Sequence, residues 1–504
     1  MKGAPQPGRR IGLNRLFEGI ATLPDSGVEI SDLTLDSREA SAGSLFLALR
    51  GQRAHGLEYA AQAAERGACA VLWEPGGGAL PPVLPAAVFS AAVPNLPELL
   101  GRLSDRFFGA PSARLRVAGI TGTNGKTTCA HLAAQCFEHL GEPAAYMGTL
   151  GWGRPGALAR ANLTTADVVS VHRRLAALEA QGVRSVAMEV SSHALDQDRV
   201  AGVRFDTAAF TNLTRDHLDY HLTMQAYGEA KARLFAADHL RHGVVHAGDE
   251  FGRELLRRGG GVPLTAVWIG EWDGAGSARH TLHAATVVLG PHGIAMRLRG
   301  SFGEADSHAR LIGRFNAETA LVVLGCLLVA GIALPDAVAA LARCRAPAGR
   351  MEIIESPRAD KPAAVIDYAH TPDALGNALG ALREHCRGDL WCVFGCGGDR
   401  DRGKRRLMGA VADALADQLI VTDDNPRTED PAAITAEILC GIRQHAVRVI
   451  HDRAAAIATA LAEARAADLV LIAGKGHEDH QVYGESRRPF SDREEALRHL
   501  GAAA

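Results

Sequence analysis

The segment VAGITGTNGKTT (117–128) constrains this chain more than any other: a β-branched apolar run, a turn holding two glycines, then Lys-Thr-Thr opening the helix-forming stretch TTCAHLAAQCFEHL. A strand that feeds a helix through a glycine-rich turn belongs to a parallel α/β sheet. Gly122 and Gly125 let backbone N–H groups approach phosphate oxygens, and the helix N-terminus favours the anion. Lys126 can reach the β- and γ-phosphates of a nucleotide, and the Thr127 hydroxyl can bind Mg²⁺. Ile120 stands where GxxxxGK[ST] would have its first glycine, so the working core is GTNGKT. Gly122, Thr123, Asn124, Gly125, Lys126, Thr127 and Thr128 are therefore the expected ATP-binding loop. An accidental glycine-rich turn would not be expected to set strand, loop, Lys-Thr-Thr and helix in that order.

Short apolar runs alternate with Ala/Leu-rich stretches over most of the 504 residues, for example VRSVAMEV (183–190), AAVIDYA (363–369), LWCVFG (390–395) and ADLVLIAG (467–474). At roughly 100 to 200 residues per domain, two to four domains are expected, and three is the middle value. Gly/Pro-rich breaks at 74–88 and at CRAPAGR (344–350) put boundaries near 93 and 346. The expected fold is α/β in three domains: a smaller N-terminal α/β domain (1–93), a central P-loop-type parallel sheet domain (94–346) and a C-terminal Rossmann-like domain (347–504). Region 259–305, rich in Gly, Thr and Val, is expected to be an antiparallel excursion of the middle domain. A net charge of −3 gives no reason to expect nucleic acid or a membrane surface as partner, so an anionic substrate must be met by local groups. Nine scattered cysteines without a CxxC pair fit a reducing cytosol. No apolar run follows the basic N-terminus and none approaches a membrane span, so a cytoplasmic protein is expected.

Further along the chain lie MEVSSHALDQDR (188–199), TNLTRDHLDYH (211–221), YGEAKARLF (227–235), GRFN (313–316), DYAHTPDAL (367–375), GCGGDRDRGKR (395–405), DDNPRTEDP (423–431) and AGKGHEDHQ (473–481). Together with GTNGKTT and the N-terminal LTLDSR (33–38), these resemble, in order, the motifs of the Mur ligases. The resemblance covers all three expected domains. It is nearest to the branch that adds meso-2,6-diaminopimelate to UDP-N-acetylmuramoyl-L-alanyl-D-glutamate, with ATP and Mg²⁺ as cofactors, during peptidoglycan synthesis. A monomer is expected. A ligase of this type activates a carboxylate as an acyl phosphate and lets an amine attack it. Two anions must then meet, and cations with a divalent metal are needed where they do.

What the resemblance implies can be stated residue by residue. Lys126, Glu189, His217 and Lys231 are the catalytic set, with Thr127, Glu189 and His217 around Mg²⁺. A lysine in a helical YGEAKARLF stretch is usually a solvated surface group. In the family the lysine matching Lys231 is carbamylated to N6-carboxylysine, whose carbamate supports a second Mg²⁺. The uridine end of the substrate matches Leu35, Ser37, Gln52, Arg53 and Ala54. Its sugar-peptide part matches Thr164, Thr165, Ser191, Gln197 and Arg199. These polar residues could equally serve as caps and turns. Asn316 matches a position near the adenine, and the C-terminal domain is expected to close over ATP bound by the middle one, excluding water from the acyl phosphate.

Diaminopimelate matches Arg400, Asp424, Asn425, Pro426, Arg427, Gly474 and Glu478. It differs from L-lysine by a carboxylate at the far end, so discrimination requires a cation there. Arg427 can supply it in a bidentate fork, presented by Pro426. The lysine-adding relatives lack that arginine. The plain alternative is an acidic turn in which Arg427 pairs with Asp423 or Glu429. Departures from the family pattern are His246 and Gly248 where Asn and Asp are common, Thr319 for a second Asn, and Ala166 for Pro; they bear on adenine contacts. Other readings are an L-lysine-adding or folylpolyglutamate-type ligase of the same fold, a non-catalytic nucleotide-binding protein, and a zinc hydrolase built on DHLDYH, which would leave the phosphate loop without purpose.

Overall fold

The computed structural model describes residues 10–502 apart from 52–53, 77–79, 162, 260, 273, 275–277, 291 and 445. Gln52 and Arg53 thus lie outside the described residues. The chain divides into two compact units, the first ending at Thr265 and the second beginning at Ala266 within the strand Leu264–Ile269. Among the described residues no helix is long and apolar enough to cross a membrane.

The first unit carries two sheets besides the antiparallel pair Ile11–Gly12 and Glu29–Ile30. Asp32–Thr34, Ser44–Ala48, Ala70–Trp73 and Phe89–Ala92 form a parallel four-stranded sheet. Arg173, on the helix Val168–Ala180, donates to both carboxylate oxygens of Asp32 at 2.7 Å. The larger sheet orders Ala144–Gly148, Ser185–Glu189, Arg116–Thr121, Thr207–Phe210 and His242–His246 side by side, all parallel. These strands read as apolar runs because helices cover both faces of a parallel sheet, and nearly every residue in them is buried. The consequence for chemistry is positional. In such sheets ligands gather beyond the carboxyl ends of the strands, where Thr121 hands over to the phosphate loop, Glu189 ends its strand and Phe210 leads into TNLT.

In the second unit, His280–Gly290, Gly293–Gly300 and Gly303–Ala309 form an antiparallel meander. The antiparallel excursion expected from composition is present: its strands fall in the second compact unit, and in strand order they belong to the ten-stranded sheet that also holds the phosphate-loop strand. A six-stranded sheet follows, in the order Glu352–Ile354, Ala363–Asp367, Leu469–Ala473, Leu390–Phe394, Gln418–Val421 and Val447–Val449, parallel except for its first strand. Cys392 and Cys396 are buried in a strand and the loop after it. His385, the last residue of the helix Pro372–His385, accepts the Gly313 N–H on Nε2 at 2.9 Å and donates from Nδ1 to the Gly290 carbonyl at 2.7 Å. Burial lowers its pKa, in keeping with this neutral, single-tautomer role.

Candidate active site

Gly122 has φ +145, and a Cβ there would collide with the Thr211 hydroxyl, so glycine is required. That hydroxyl donates to the Asn124 carbonyl at 2.6 Å. Asn212 accepts the Asn124 N–H on its side chain at 2.9 Å and the Thr123 N–H on its carbonyl at 2.8 Å. The Thr123 hydroxyl meets the Thr214 carbonyl and the Tyr227 hydroxyl, each at 3.2 Å. The loop is thus held from below by TNLT (211–214). Gly125, at φ 83, caps the helix Lys126–His139, whose first turn carries Thr127 and Thr128.

Two amines converge on one carbonyl. Lys126 Nζ donates to Gly122 O at 3.0 Å and to Thr123 O at 2.8 Å, while Lys231 Nζ donates to Gly122 O at 2.7 Å. Lys231 is buried, and its Nζ sits 4.2 Å from the centroid of the Tyr227 ring. It is therefore not the solvated surface group its sequence setting suggests. Burial lowers the pKa of both, and Lys126 lowers that of Lys231 further, to about 6, against a partial offset from Asp216. Near neutral pH, Lys231 is an uncharged amine.

Glu189 is buried at the end of its strand. Its Oε2 accepts the Thr127 hydroxyl at 2.9 Å, and its Oε1 accepts the Thr149 N–H at 2.9 Å and the Tyr146 hydroxyl. Two oxygens bound to one Mg²⁺ at about 2.1 Å and at right angles lie about 3 Å apart. The Thr127 and Glu189 oxygens already have that spacing, and both are hard oxygen donors, so this pair fits Mg²⁺. His217 is placed differently. It is half-exposed at φ 51, with Nε2 3.4 Å from Asp216 and its ring 4.9 Å from that of His193 and 6.1 Å from that of Tyr227. Among the described residues no contact joins it to Thr127 or Glu189, and no group of three His, Cys, Asp or Glu forms a metal cluster.

The residues matched to the sugar-peptide portion form one network around Glu189. Thr164 meets the Thr149 hydroxyl at 3.0 Å, and Thr165 donates to the Glu189 carbonyl at 2.8 Å and accepts the Ser191 N–H at 3.1 Å. Arg199 donates to the Thr165 carbonyl and to Gln197, which in turn donates to Tyr220 at 3.1 Å. Ser191 also caps the helix Ser192–Asp196. Ser37, bonded to Gln62 at 2.6 Å, belongs to the N-terminal sheet region with Leu35 and Ala54, and among the described residues no hydrogen bond links these three to that network. Asn316 is buried in the second unit, where its side chain donates to the Ile312 carbonyl at 2.7 Å, and Thr319 donates to the Phe315 carbonyl. Two of the departures are a matched pair. Buried His246 donates from Nδ1 to the Thr211 carbonyl at 3.0 Å, and a Cβ at Gly248 would lie 2.6 Å from its Nε2. Ala166 is buried beside Thr165.

The second polar group surrounds DDNPR. Asn425 donates to Glu478 at 2.9 Å, and its Oδ1 accepts Lys475 Nζ at 3.1 Å and the Val482 N–H at 3.0 Å. Although burial opposes its ionisation, the Lys475 ammonium and the Asn425 amide hold the Glu478 carboxyl low. Asp424 is buried, its Oδ2 has no hydrogen-bond partner, and burial raises its pKa. Gly474, at φ +118, leaves room for that oxygen, since a Cβ would lie 2.6 Å from it. Arg427, at φ 53 after buried Pro426, donates to the Gly398 carbonyl at 2.6 Å. A Cβ on Gly397 would lie 2.9 Å from Arg427 Nη1 and 3.8 Å from Arg400 Cγ, so two arginines flank one glycine. Neither has a carboxylate partner among the described residues. Glu429 pairs with Arg405, while Asp423 is held by His451 and Tyr483. The acidic-turn alternative for Arg427 is thereby set aside.

Sequence reasoning missed Tyr146, Thr149, Asn212, Tyr227 and Lys475. Lys475 had a signal, because a lysine between two glycines directly after a buried strand has little room to reach water. Tyr146 and Tyr227 had none beyond being aromatic.

Three family models match the chain: the Mur ligase family catalytic domain over residues 29–108, the Mur ligase middle domain over 120–327 and the Mur ligase glutamate ligase domain over 349–476. The chain is 47% identical over 479 residues to the UDP-N-acetylmuramoyl-L-alanyl-D-glutamate--2,6-diaminopimelate ligase of Ectopseudomonas mendocina, covering 95% of this chain and 96% of the relative. It is 47% identical over 480 residues to the protein of the same name from Alkalilimnicola ehrlichii, covering 94% and 95%. A solved structure of a ligase of that name is similar with a TM-score of 0.77 at 33% identity, over 98% of this chain and 99% of the other.

Proposed function

We propose, starting from the fact that the chain belongs to the Mur ligase family, that it is the ATP-dependent, ADP-forming ligase that joins meso-2,6-diaminopimelate to UDP-N-acetylmuramoyl-L-alanyl-D-glutamate in peptidoglycan synthesis. The loop 122–128 binds the ATP phosphates through its N–H groups, with Lys126 placed to neutralise charge on the γ-phosphoryl group as it transfers. A substrate carboxylate oxygen attacks the γ-phosphorus, ADP leaves, and an acyl phosphate remains. The amine of diaminopimelate then attacks the acyl carbon, a new C–N bond forms, and phosphate leaves. The chemistry that Mg²⁺ would supply here is positive charge against the phosphate oxygens. Thr127 and Glu189 would hold it, with His217 as a further ligand by family likeness.

Lys231 is read as a carbamate. Only an uncharged amine attacks CO₂, and a pKa of about 6 leaves this amine free near neutral pH. The reaction forms an N–C bond and releases one proton. It gives Lys231 a negative charge that attracts Lys126, and the remaining N–H can still donate to Gly122 O. Thr164, Thr165, Ser191, Gln197 and Arg199 would meet the sugar-peptide part, and Leu35, Ser37, Gln52, Arg53 and Ala54 the uridine end. Asn316 would lie near the adenine. The division near 93 and 346 remains our reading of which part meets which substrate, supported by a four-stranded sheet within 32–92 and a six-stranded one within 352–473. We take the protein to act in the cytosol, a reading supported by nine scattered cysteines without a CxxC pair, and as a monomer, which sizing in solution tests.

The observation that carries the choice of amino acid is Arg427, beside Arg400 and without a carboxylate partner among the described residues. Asn425, Glu478 and Gly474 would meet the ammonium end, with Asp424 behind them. Phosphate release from ATP, measured with the UDP-muramoyl dipeptide and each candidate amino acid in turn, tests the proposal. Turnover with meso-diaminopimelate and rejection of L-lysine are expected. Comparable rates with both would move the chain to a lysine-adding function.

A further inference from the structure

We propose that Tyr146 is a positioning residue for the metal-binding carboxylate of Glu189; this rests on the reading of Thr127 and Glu189 as Mg²⁺ ligands. Tyr146 is fully buried on the strand Ala144–Gly148, hydrogen-bonded alongside the strand that ends in Glu189. Its hydroxyl donates to Glu189 Oε1 and accepts the Leu150 N–H at 3.2 Å. The Thr149 N–H donates to the same Oε1 at 2.9 Å. Two donors on one oxygen fix the plane of the carboxylate. They leave Oε2 to the Thr127 hydroxyl at 2.9 Å and the Thr149 hydroxyl at 3.3 Å. Oε2 is therefore the oxygen presented to a cation, while Oε1 is held by the protein.

Two packing features support a built arrangement. A Cβ at Gly148 would collide with both the Glu189 carboxylate and the Tyr146 hydroxyl, so the strand ends in the one residue that lets them meet. The His131 ring stands edge-on to the Tyr146 ring with centroids 5.7 Å apart, which limits where the phenol can swing. The Thr149 hydroxyl also meets that of Thr164 at 3.0 Å, so the same turn touches the metal carboxylate and a residue of the sugar-peptide network. A phenol suits this place because, as a neutral donor, it orients the carboxylate without cancelling the charge the cation needs.

The test uses the full-length protein as native, Tyr146→Phe and Glu189→Gln. Mn²⁺ binding in the presence of ADP is followed by its electron paramagnetic resonance signal, and ADP binding is measured separately in EDTA. Tyr146→Phe should weaken Mn²⁺ binding about tenfold or more, the usual effect of removing a partner that orients a metal ligand. ADP affinity without metal should stay unchanged, and the rate should return at high Mg²⁺. If Glu189→Gln weakens Mn²⁺ binding and Tyr146→Phe does not, the positioning role is overturned and the metal reading survives. If Glu189→Gln has no effect, the metal reading fails and takes the proposal with it. Loss of metal-free ADP binding in Tyr146→Phe would mean that the hydroxyl supports the nucleotide site as a whole rather than the metal ligand, which also overturns the proposal.

Discussion

The phosphate-loop site uses lysines, and the DDNPR site uses arginines. Lys126 and Lys231 share one backbone carbonyl, and burial drives both toward their uncharged forms. Arg400 and Arg427 flank a glycine with no carboxylate partner among the described residues. An amine that can lose its proton, as Lys231 can, is suited to taking up CO₂. A planar guanidinium is suited to recognition, because two parallel donors match a carboxylate. The difference teaches that a cation's role can be read from what burial does to its proton.

The hardest test of the lysine side is Lys126→Ala, which should lower kcat by about 10²-fold or more while the protein stays folded, since an electrostatic group rather than a core contact is lost. Near-normal turnover with unchanged ATP affinity would erase the contrast. On the arginine side, Arg427→Ala should raise KM for diaminopimelate about ten- to hundredfold, the size of a lost charged hydrogen-bonding pair of ~1.5–3 kcal/mol. KM for ATP should move far less; equal rises in both would show that Arg427 supports the fold rather than the ligand.

Lys231 sharpens the comparison through pH. Its folded pKa lies below the ordinary 10.5, so the unfolded chain binds more protons between about 6 and 10.5 and stability falls as pH drops through that window, then levels. In CO₂-free buffer, Lys231→Met should therefore gain melting temperature over the native protein as pH falls from about 10.5 to about 6, with a constant gap below. A gap independent of pH would mean that the lysine is not held as a free amine. Carbamate content by native mass spectrometry should fall below about pH 6 for the same reason, and short carboxylic acids should restore part of the activity of Lys231→Ala.

The smallest effect concerns the frame beneath the loop. Gly248→Ala pushes a methyl against the His246 ring and should cost about 1 kcal/mol of stability. His246→Asn in the same chain should recover most of it, and a double-mutant cycle reads the coupling. Strict additivity would show that the two departures are unrelated.

The phosphate loop and the alternating parallel architecture were legible because their signals are local: strand, turn and helix follow one another within a dozen residues, whereas Glu189 was singled out only by the family likeness of MEVSSHALDQDR. The antiparallel meander was legible in its Gly, Thr and Val content, but its partnership with the later residues was not, since that depends on contacts such as His385 to Gly290 and Gly313. Tyr146 reads as an ordinary core aromatic in AAYMG, and its partner Glu189 is 43 residues away. Tyr227 meets Thr123 across 104 residues. The buried setting of Lys231 was equally invisible, because YGEAKARLF has no apolar stripe to mark one face as inward. His217 was legible as a motif residue, and the structure gives it neighbours other than those expected.

His385 bears on how the molecule can be dissected. Its two ring nitrogens reach segments 72 and 95 residues upstream, both before the break at 344–350. A fragment cut near 346 would strip a buried imidazole of both its partners and open the apolar surface around it to water. Anyone expressing the C-terminal sheet alone should therefore begin near residue 280, and a heating curve of that longer piece should show one sharp transition where the shorter one shows a broad or early melt.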